Sequence, residues 1–555
     1  MADSRKGLDE LVFVALGGAG EIGMNLNLYG YGPPDSRQWL MVDCGITFGH
    51  EDTPGVDVIM PDSSFIVANR RNLLGMVLTH AHEDHIGAVA YLWPELRCPI
   101  YATPFTAALL RNKLEDAGLL EEAKLRIVPM DAKFTLGPFE IQLITITHSI
   151  PEPNAIAIRT KLGTILHTGD WKIDPEPLIG EVTDERALRQ LGEDGVLAMV
   201  CDSTNALVEG ESGSEADVRK NLEALIRPLK NRVAVTAFAS NVARVESIVL
   251  AGHECGREVA LVGRSMLRIV QAARETGFLK DLPPLIPVEE AIHLPRSKVL
   301  YCCTGSQGEW SAALTRIARG DHPDVTLEAG DAVIYSSRII PGNERAIFEV
   351  HNMLAAEGVE ILTERDHFVH VSGHPARAEL AKMYQWVRPQ ISIPVHGEMR
   401  HLTEHARFAR ELQVPQAFVA PNGTMLRLAP GPAARIDEVP VGRLFRDGAI
   451  IVRDGDGAVR ARKGLAFAGF VGVTLVLDHK NRFAADPVLH CEGVPDEAVK
   501  GLMRAAEEVA GKLSPRQLDS DSEIEDVMRR ALRREAQSVW GKKPITRVQI
   551  VRLDK

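Results

Sequence analysis

The run Thr79-His80-Ala81-His82-Glu83-Asp84-His85-Ile86-Gly87 constrains this chain more than any other feature. Three imidazoles and a carboxylate fall between His80 and His85. That donor set suits zinc or another divalent transition metal. Residues 76–79 read as a buried strand, and the chain from Gly87 onward reads as a helix. His80, His82, Asp84 and His85 are therefore expected on a strand-to-helix loop. His80 and His82 project alike, while Asp84 and His85 follow the turn and can face a second ion. The competing reading, a polar loop with coincidental histidines, leaves the clustering without a cause.

An ion takes about four to six ligands, so more donors are needed. The candidates share one placement, the end of a predicted strand. His148 follows 141–147, Asp170 follows 164–168 in HTGDWKID, and Asp202 follows 197–200 in CDSTN. His374 follows 368–371 in HVSGH, and His396 follows 391–395 in PVHGE. Ligand crevices in α/β proteins lie outside strand carboxyl ends, so one shared edge is physically reasonable. Taken singly, each residue reads equally as a cap or a surface group. Asp202 in particular has good helix N-capping chemistry.

At 555 residues, about three domains are expected. Hydrophobic residues at 45% and charged residues at 25% exclude a disordered or low-complexity chain. The net charge of −12 argues against coating nucleic acid through bulk positive charge. It leaves room for a local basic groove. No apolar run approaches the ~18 residues of a membrane span. The short apolar stretch after Asp9 and Glu10 reads as a first strand rather than a signal peptide. Seven cysteines, odd in number and without a CxxC, point to a reducing cytoplasm rather than a disulfide scaffold. The first 200 residues are rich in strands. Alternating helices (216–230, 243–251, 266–276) and strands (232–238, 259–262) follow and suggest a separate lobe. The chain closes with helices at 496–512 and 522–537 and strands at 471–477 and 545–553.

One motif points elsewhere. Gly18-Ala19-Gly20-Glu21-Ile22-Gly23 matches GxGxxG, and Asp43 follows about 20 residues later, as in a dinucleotide-binding fingerprint. That fingerprint needs a helix after its last glycine. Residues 24–32 alternate like a strand instead, so a β-hairpin is expected. Asp43 then becomes a group that supports a ligand histidine.

THAHEDHIGA, with His148 and Asp170, resembles the metallo-β-lactamase fold. DSTN at Asp202, SGH at His374 and PVHGE at His396 resemble its β-CASP nucleic-acid-processing branch. ALGGAGEIGMN, AFASN, TGSQGE, PGNE, HVSGH and KKPITRVQIV occur in the order seen in bacterial ribonuclease J. The resemblance runs from about residue 11 to 553. It implies an α/β chain built on an αββα sandwich from 1–205 and 355–450. A β-CASP domain would be inserted at 206–354, and a C-terminal α/β domain for oligomerisation would follow at 460–555. It implies two divalent ions, zinc with manganese or magnesium as alternatives. His80, His82 and His148 would hold one, Asp84, His85 and His396 the other, and Asp170 would bridge them. Such a pair can lower the pKa of a shared water and clamp a phosphodiester for in-line attack.

By the same resemblance His374 would stabilise the developing 3′ oxyanion, with Asp202 orienting it. His370, Val371, Ser372, Gly373 and His374 would form a substrate-phosphate loop. Phe238, Ser240 and Asn241 would belong to the same pocket, although Phe238 reads equally as core. Arg264, Arg338 and Lys172 read either as channel lining or as solvated surface. The implied activity is 5′-to-3′ exonuclease and endonuclease action on single-stranded RNA with a 5′-monophosphate, in rRNA processing and mRNA decay. A cytoplasmic homodimer or homotetramer, with other RNA-decay proteins as partners and no membrane, completes the expectation. The rivals are a DNA-directed β-CASP nuclease, a small-ester metallohydrolase and a scaffold with structural metals. The chain departs from the family at Trp310, where a proline is frequent, at Cys44, where a small residue is usual, and at 459–462, which lacks the carboxylate of the calcium site seen in some members.

Overall fold

Alternation along the strands decides the layering. In the strand Ala198–Asp202, Ala198 and Val200 join one core cluster while Met199 and Cys201 join another. A strand buried on both faces needs cover on both sides. In the computed structural model, which describes residues 7–49 and 52–554, both covers are present. On one side Val200, Ile156 and Ile393 meet Phe13, Tyr29, Leu40 and Val42 of a second sheet. On the other side Met199 and Leu166 meet Leu188 and Leu191 of the helix Glu185–Asp194, and Leu380 and Met383 of the helix Arg377–Val387.

The seven-stranded sheet runs Lys133–Leu136, Phe139–Thr145, Asn154–Thr160, Gly163–His167, Ala198–Asp202, Ile391–Val395, Gln416–Ala417. The facing eight-stranded sheet is built around Glu10–Gly17, Leu26–Gly32, Gln38–Val42 and Leu73–Val77. On its outer face Trp39 packs edge-on against Phe65 of the helix Ser64–Ala68, with ring centroids 5.4 Å apart. The arrangement is helix, sheet, sheet, helix. Glu10–Gly17 and Leu26–Gly32 pair antiparallel, so the glycine-rich run between them closes a hairpin as expected.

A separate five-stranded sheet runs Glu258–Val262, Val299–Cys303, Val233–Thr236, Ala332–Tyr335, Glu360–Leu362. Every pairing in it is parallel. Its carboxyl ends open into residues 237–241, 304–312 and 336–343.

Residues through Thr47 together with Met60–Arg443 form one compact unit. Phe48–Ile59 and Leu444–Lys555 form another. In the second, Phe470–Leu477 lies between Val488–Glu492 and Ile545–Arg552. It buries Val471, Val473, Leu475 and Leu477 against Leu502 of the helix Asp496–Lys512 and Ile524, Met528 and Leu532 of the helix Asp521–Val539. No helix among the described residues is long and apolar enough to cross a membrane.

Two expectations fail in detail. Residues 368–371 are not a strand. Val369 O accepts from Arg244 Nη1 at 3.0 Å and from Ser336 Oγ at 2.7 Å, so side chains replace a ladder there. Asp84 and His85 lie on a short helical turn, Glu83–Ile86, rather than on a loop.

Candidate metal centre

Strand ends bring the donors together. Leu73–Val77 leads into His80 and His82, Gly163–His167 into Asp170, and Ile391–Val395 into His396. Two close approaches explain nearby glycines. A Cβ at Gly45 would lie 1.6 Å from Asp84 O, and one at Gly18 would lie 2.3 Å from Asn25 Oδ1. Gly18 also has φ +85°, a conformation that glycine tolerates at least cost. The glycine run therefore lets the backbone approach Asn25.

Three donor groups form among the described residues, in each of which the ligand atoms lie within 4.8 Å of one another. His80, His82, His148 and Asp170 make the first. Asp84, His85, Asp170 and His396 make the second. In the first, His80 Nε2 and His148 Nε2 each lie 3.1 Å from His82 Nδ1. In the second, Asp170 Oδ2 is 3.1 Å from His85 Nε2 and 3.5 Å from His396 Nε2. Asp84 Oδ2 is 3.5 Å from His85 Nε2 and 3.6 Å from His396 Nε2. Asp170, Asp202 and His374 make the third, so Asp170 is common to all three groups, and it is 2% exposed.

The rings of His80, His85, His148 and His396 are each aimed by a partner on the other nitrogen. Asp43 Oδ2 is 2.7 Å from His85 Nδ1, while its Oδ1 accepts from the Thr79 N–H at 2.8 Å. Thr79 Oγ1 is 2.9 Å from His80 Nδ1. The Gly373 carbonyl is 2.6 Å from His148 Nδ1. Asn25 brings both amide atoms to His396 Nδ1, Nδ2 at 2.7 Å and Oδ1 at 3.0 Å; because Nδ2 also donates to Asp84 O at 3.1 Å, Oδ1 is the acceptor for a proton on Nδ1. A carbonyl or carboxylate on one ring nitrogen holds the proton there and leaves the other lone pair for a metal. Asn25 and Thr79 are functional residues that residue-by-residue reading did not single out. Asn25 closes the quoted run ALGGAGEIGMN, and Thr79 opens the quoted run THAHEDHIGA.

Electrostatics agree with cation binding. Burial, then the imidazoles of His85 and His82, hold His80 well below the usual histidine value. Burial lowers His82 to about 4 and puts His148 well below normal. These are neutral imidazoles with nitrogens crowded to 3.1 Å, close to the ~3.3 Å expected between nitrogens around a tetrahedral zinc. Burial also opposes a charge on His85, but Asp170, Asp84 and Asp43 outweigh it and raise its pKa well above normal. The same negative field favours a cation among these donors. The site binds divalent metal.

Beside the centre, His374 Nδ1 lies 2.8 Å from Asp202 Oδ2 and 3.9 Å from Asp170 Oδ2. Burial pulls its pKa down. Asp202, Asp170 and Asp84 outweigh burial and raise it to about 9. His374 stands on a loop rather than at a strand end. Gly373 is required there, since a Cβ would lie 2.8 Å from His148 Cε1. Ser372 Oγ accepts from Asn205 Nδ2 at 2.8 Å and from the His374 N–H at 3.1 Å. That N–H is therefore not free for a phosphate, while the Ser372 hydroxyl proton still is. His370 is half-buried, and its pKa is held well below normal by desolvation, then by Arg244, Arg338 and Lys172. Arg244 is fully buried and pairs with Glu215 at 2.9 Å.

Two sequence readings change. Asn241 caps the helix Val242–Glu254, accepting from the Arg244 N–H at 2.9 Å and donating to Glu215 at 3.2 Å. Its side chain is engaged within the fold rather than turned to a pocket. Phe238 and Ser240 lie half-buried in the turn just before it. Lys172 lines no channel and is not solvated. It is 1% exposed and pairs with Asp174 at 2.9 Å. Arg264 and Arg338 are exposed.

Residues 34–235 match the metallo-beta-lactamase superfamily, and 230–354 match the ribonuclease J beta-CASP domain. Residues 358–416 match a Zn-dependent metallo-hydrolase RNA specificity domain, and 457–553 the ribonuclease J C-terminal domain. The chain is 48% identical to ribonuclease J of Sinorhizobium meliloti over 98% of each chain. It is 38% identical to that of Corynebacterium glutamicum over 96% of this chain and 74% of the relative. For Thermus thermophilus ribonuclease J the figures are 35%, 98% and 91%. A crystal structure of a protein of unknown function from Enterococcus faecalis shares the fold, with TM-score 0.51 and 15% identity over 75% of this chain and all of that one. With the donor groups, the sandwich and full-length relatives in agreement, the chain belongs to the ribonuclease J family.

Proposed function

We propose that this chain is a two-metal ribonuclease, trimming single-stranded RNA from a 5′-monophosphate end and also cutting internally, in rRNA processing and mRNA decay. The metal-dependent hydrolysis of RNA phosphodiesters follows from the family. The two-ion arrangement rests on one observation, that Asp170 is shared by the two histidine-rich donor groups. His80, His82 and His148 would hold one ion and Asp84, His85 and His396 the other, with Asp170 placed to serve either. Zinc suits the nitrogen-rich set. When bound, a pair of divalent ions supplies an activated water and neutralises charge on the phosphoryl oxygens.

The protein supplies the rest. Asp43, Thr79, Asn25 and the Gly373 carbonyl fix the rings. Asp202 holds the His374 Nδ1 proton, leaving Nε2–H to donate to the 3′ oxygen as its bond to phosphorus breaks. The Ser372 hydroxyl steadies a neighbouring phosphate. The chain works in the cytoplasm as a homodimer or homotetramer, alongside other RNA-decay proteins. Large apolar side chains on the second unit support self-association: Phe467 is 70% exposed, Ile450 62% and Val488 60%.

The test combines metal analysis with digestion of end-labelled RNA and the matching DNA. Wild type is expected to carry two ions per chain and to prefer RNA, since the 2′-hydroxyl is the distinguishing group. Asp84→Ala is expected to lose one ion and all cleavage while remaining folded. Near-wild-type turnover by that variant would defeat the two-ion reading.

A further inference from the structure

Trp310 is the most exposed large hydrophobic side chain among the described residues, at 76%. Its surroundings are ordered. The Arg319 guanidinium lies 3.6 Å from the indole centroid. Arg319 Nη2 also donates to Trp310 O at 3.1 Å and pairs with Asp321 at 3.0 Å. Arg319 Nε and Nη1 are buried without a hydrogen-bond partner, so the guanidinium is committed to the ring face. One face of the indole is thus covered by a cation, and the high exposure leaves the other open.

The loop carrying Trp310 is held in place at the carboxyl edge of the five-stranded sheet. It follows the carboxyl end of Val299–Cys303 in the all-parallel sheet, where ligand crevices form. A Cβ at Gly308 would lie 2.6 Å from the Ala346 carbonyl carbon, so the loop sits directly on the backbone of the helix Glu344–Ala356. Gln307 Nε2 donates to Arg338 O at 2.9 Å, and Gln307 Oε1 accepts from the Ile340 N–H at 2.9 Å. Arg338 is close enough to depress the pKa of His370. Ser336 Oγ donates to Val369 O at 2.7 Å, and the loop continues to Gly373, whose carbonyl meets His148. A continuous series of contacts therefore links the metal centre to Trp310. Arg338 and Arg264 are exposed at the same sheet edge, each following a strand of that sheet.

We propose that Trp310, backed by Arg319, is a stacking platform for one base of the RNA substrate at a subsite remote from the scissile phosphate. Every base has a π-face, so the platform adds affinity with little sequence preference. The cation behind the ring, shared with Asp321, and the exposed Arg264 and Arg338 at the carboxyl edge of the same sheet suit a polyanion better than an apolar protein surface. The proposal rests on the ribonuclease reading.

The experiment uses the full-length metal-loaded enzyme and 5′-monophosphorylated RNA from a dinucleotide to about a dozen nucleotides, a span within the ~4–16 nucleotides that such grooves cover. Equilibrium binding and turnover are both read. Wild type is expected to gain affinity in a step at the length where a base reaches Trp310. Trp310→Ala is expected to lose that step, with binding of long RNA weakened about 5–150-fold, and Trp310→Phe to keep most of it. An abasic residue at that position is expected to copy the defect in wild type and to add nothing in Trp310→Ala. A step at the same length in Trp310→Ala, or an undiminished abasic effect in that variant, overturns the platform. So does a change in particle mass with unchanged RNA affinity, which would make Trp310 a protein contact. Absence of RNA turnover by wild type would instead strike the ribonuclease reading, and the step is still read in binding.

Discussion

His374 and Asn25 carry the sharpest expectations for single residues. Removing a general acid costs ~10²–10⁴-fold in rate, so His374→Ala is expected to slow single-turnover cleavage by that much while RNA still binds. If the variant loses metal, His374 is a ligand. The raised pKa of His374 also links to stability in metal-free protein. A histidine raised from 6.5 to about 9 contributes stability fully below 6.5, and loses it as pH rises through about 9. Thermal melts in chelator are therefore expected to show a fall over that window that is shallower in His374→Ala. For Asn25, removal of the partner on His396 Nδ1 is expected to weaken one of the two ions about 10–100-fold. Competition with a metal-binding dye checks this. Equal loss of both ions would show a general folding defect instead.

Short elements explain what was legible in the sequence and what was not. His80, His82, Asp84 and His85 were readable together because one strand end and one helical turn carry them all. His396 and Asp170 were readable as strand-end residues. Residues 368–371 carry β-forming side chains and read as a strand. The structure uses them as a loop because Arg244 and Ser336 satisfy the Val369 carbonyl. Lys172 was misread because its partners Asp174 and the Gly213 carbonyl meet it only through the fold. The association of Phe48–Ile59 with the chain's C-terminal part left no mark in composition. The loop holding His374 yields a prediction of its own. Gly373→Ala must push the loop away from His148, with a Cβ 2.8 Å from Cε1 and 2.9 Å from Nδ1. Cleavage is expected to drop with the global melting temperature little changed, as measured by turnover and calorimetry together. Full activity would mean the loop yields without cost.

At the scale of the molecule, the second unit has its own buried core, from Val471 to Ala536. It holds none of the proposed metal ligands. Truncation after Gly455 is expected to leave the metal content intact and to shift the particle toward monomer. A stable dimer contact buries about 1,200 Å² or more, and the exposed Phe467, Val488 and Val539 lie in the deleted part. Light scattering decides, and an unchanged mass sinks the idea. The sharing of Asp170 between the two histidine-rich donor groups, with His396 in one of them, has a consequence for the newborn chain. Synthesis proceeds from the N-terminus at about 5–20 residues per second, so His396 emerges tens of seconds after His85. On the proposed ligand set the growing polypeptide lacks a complete set of donors until then, and it is expected to be inert beside the very message being translated.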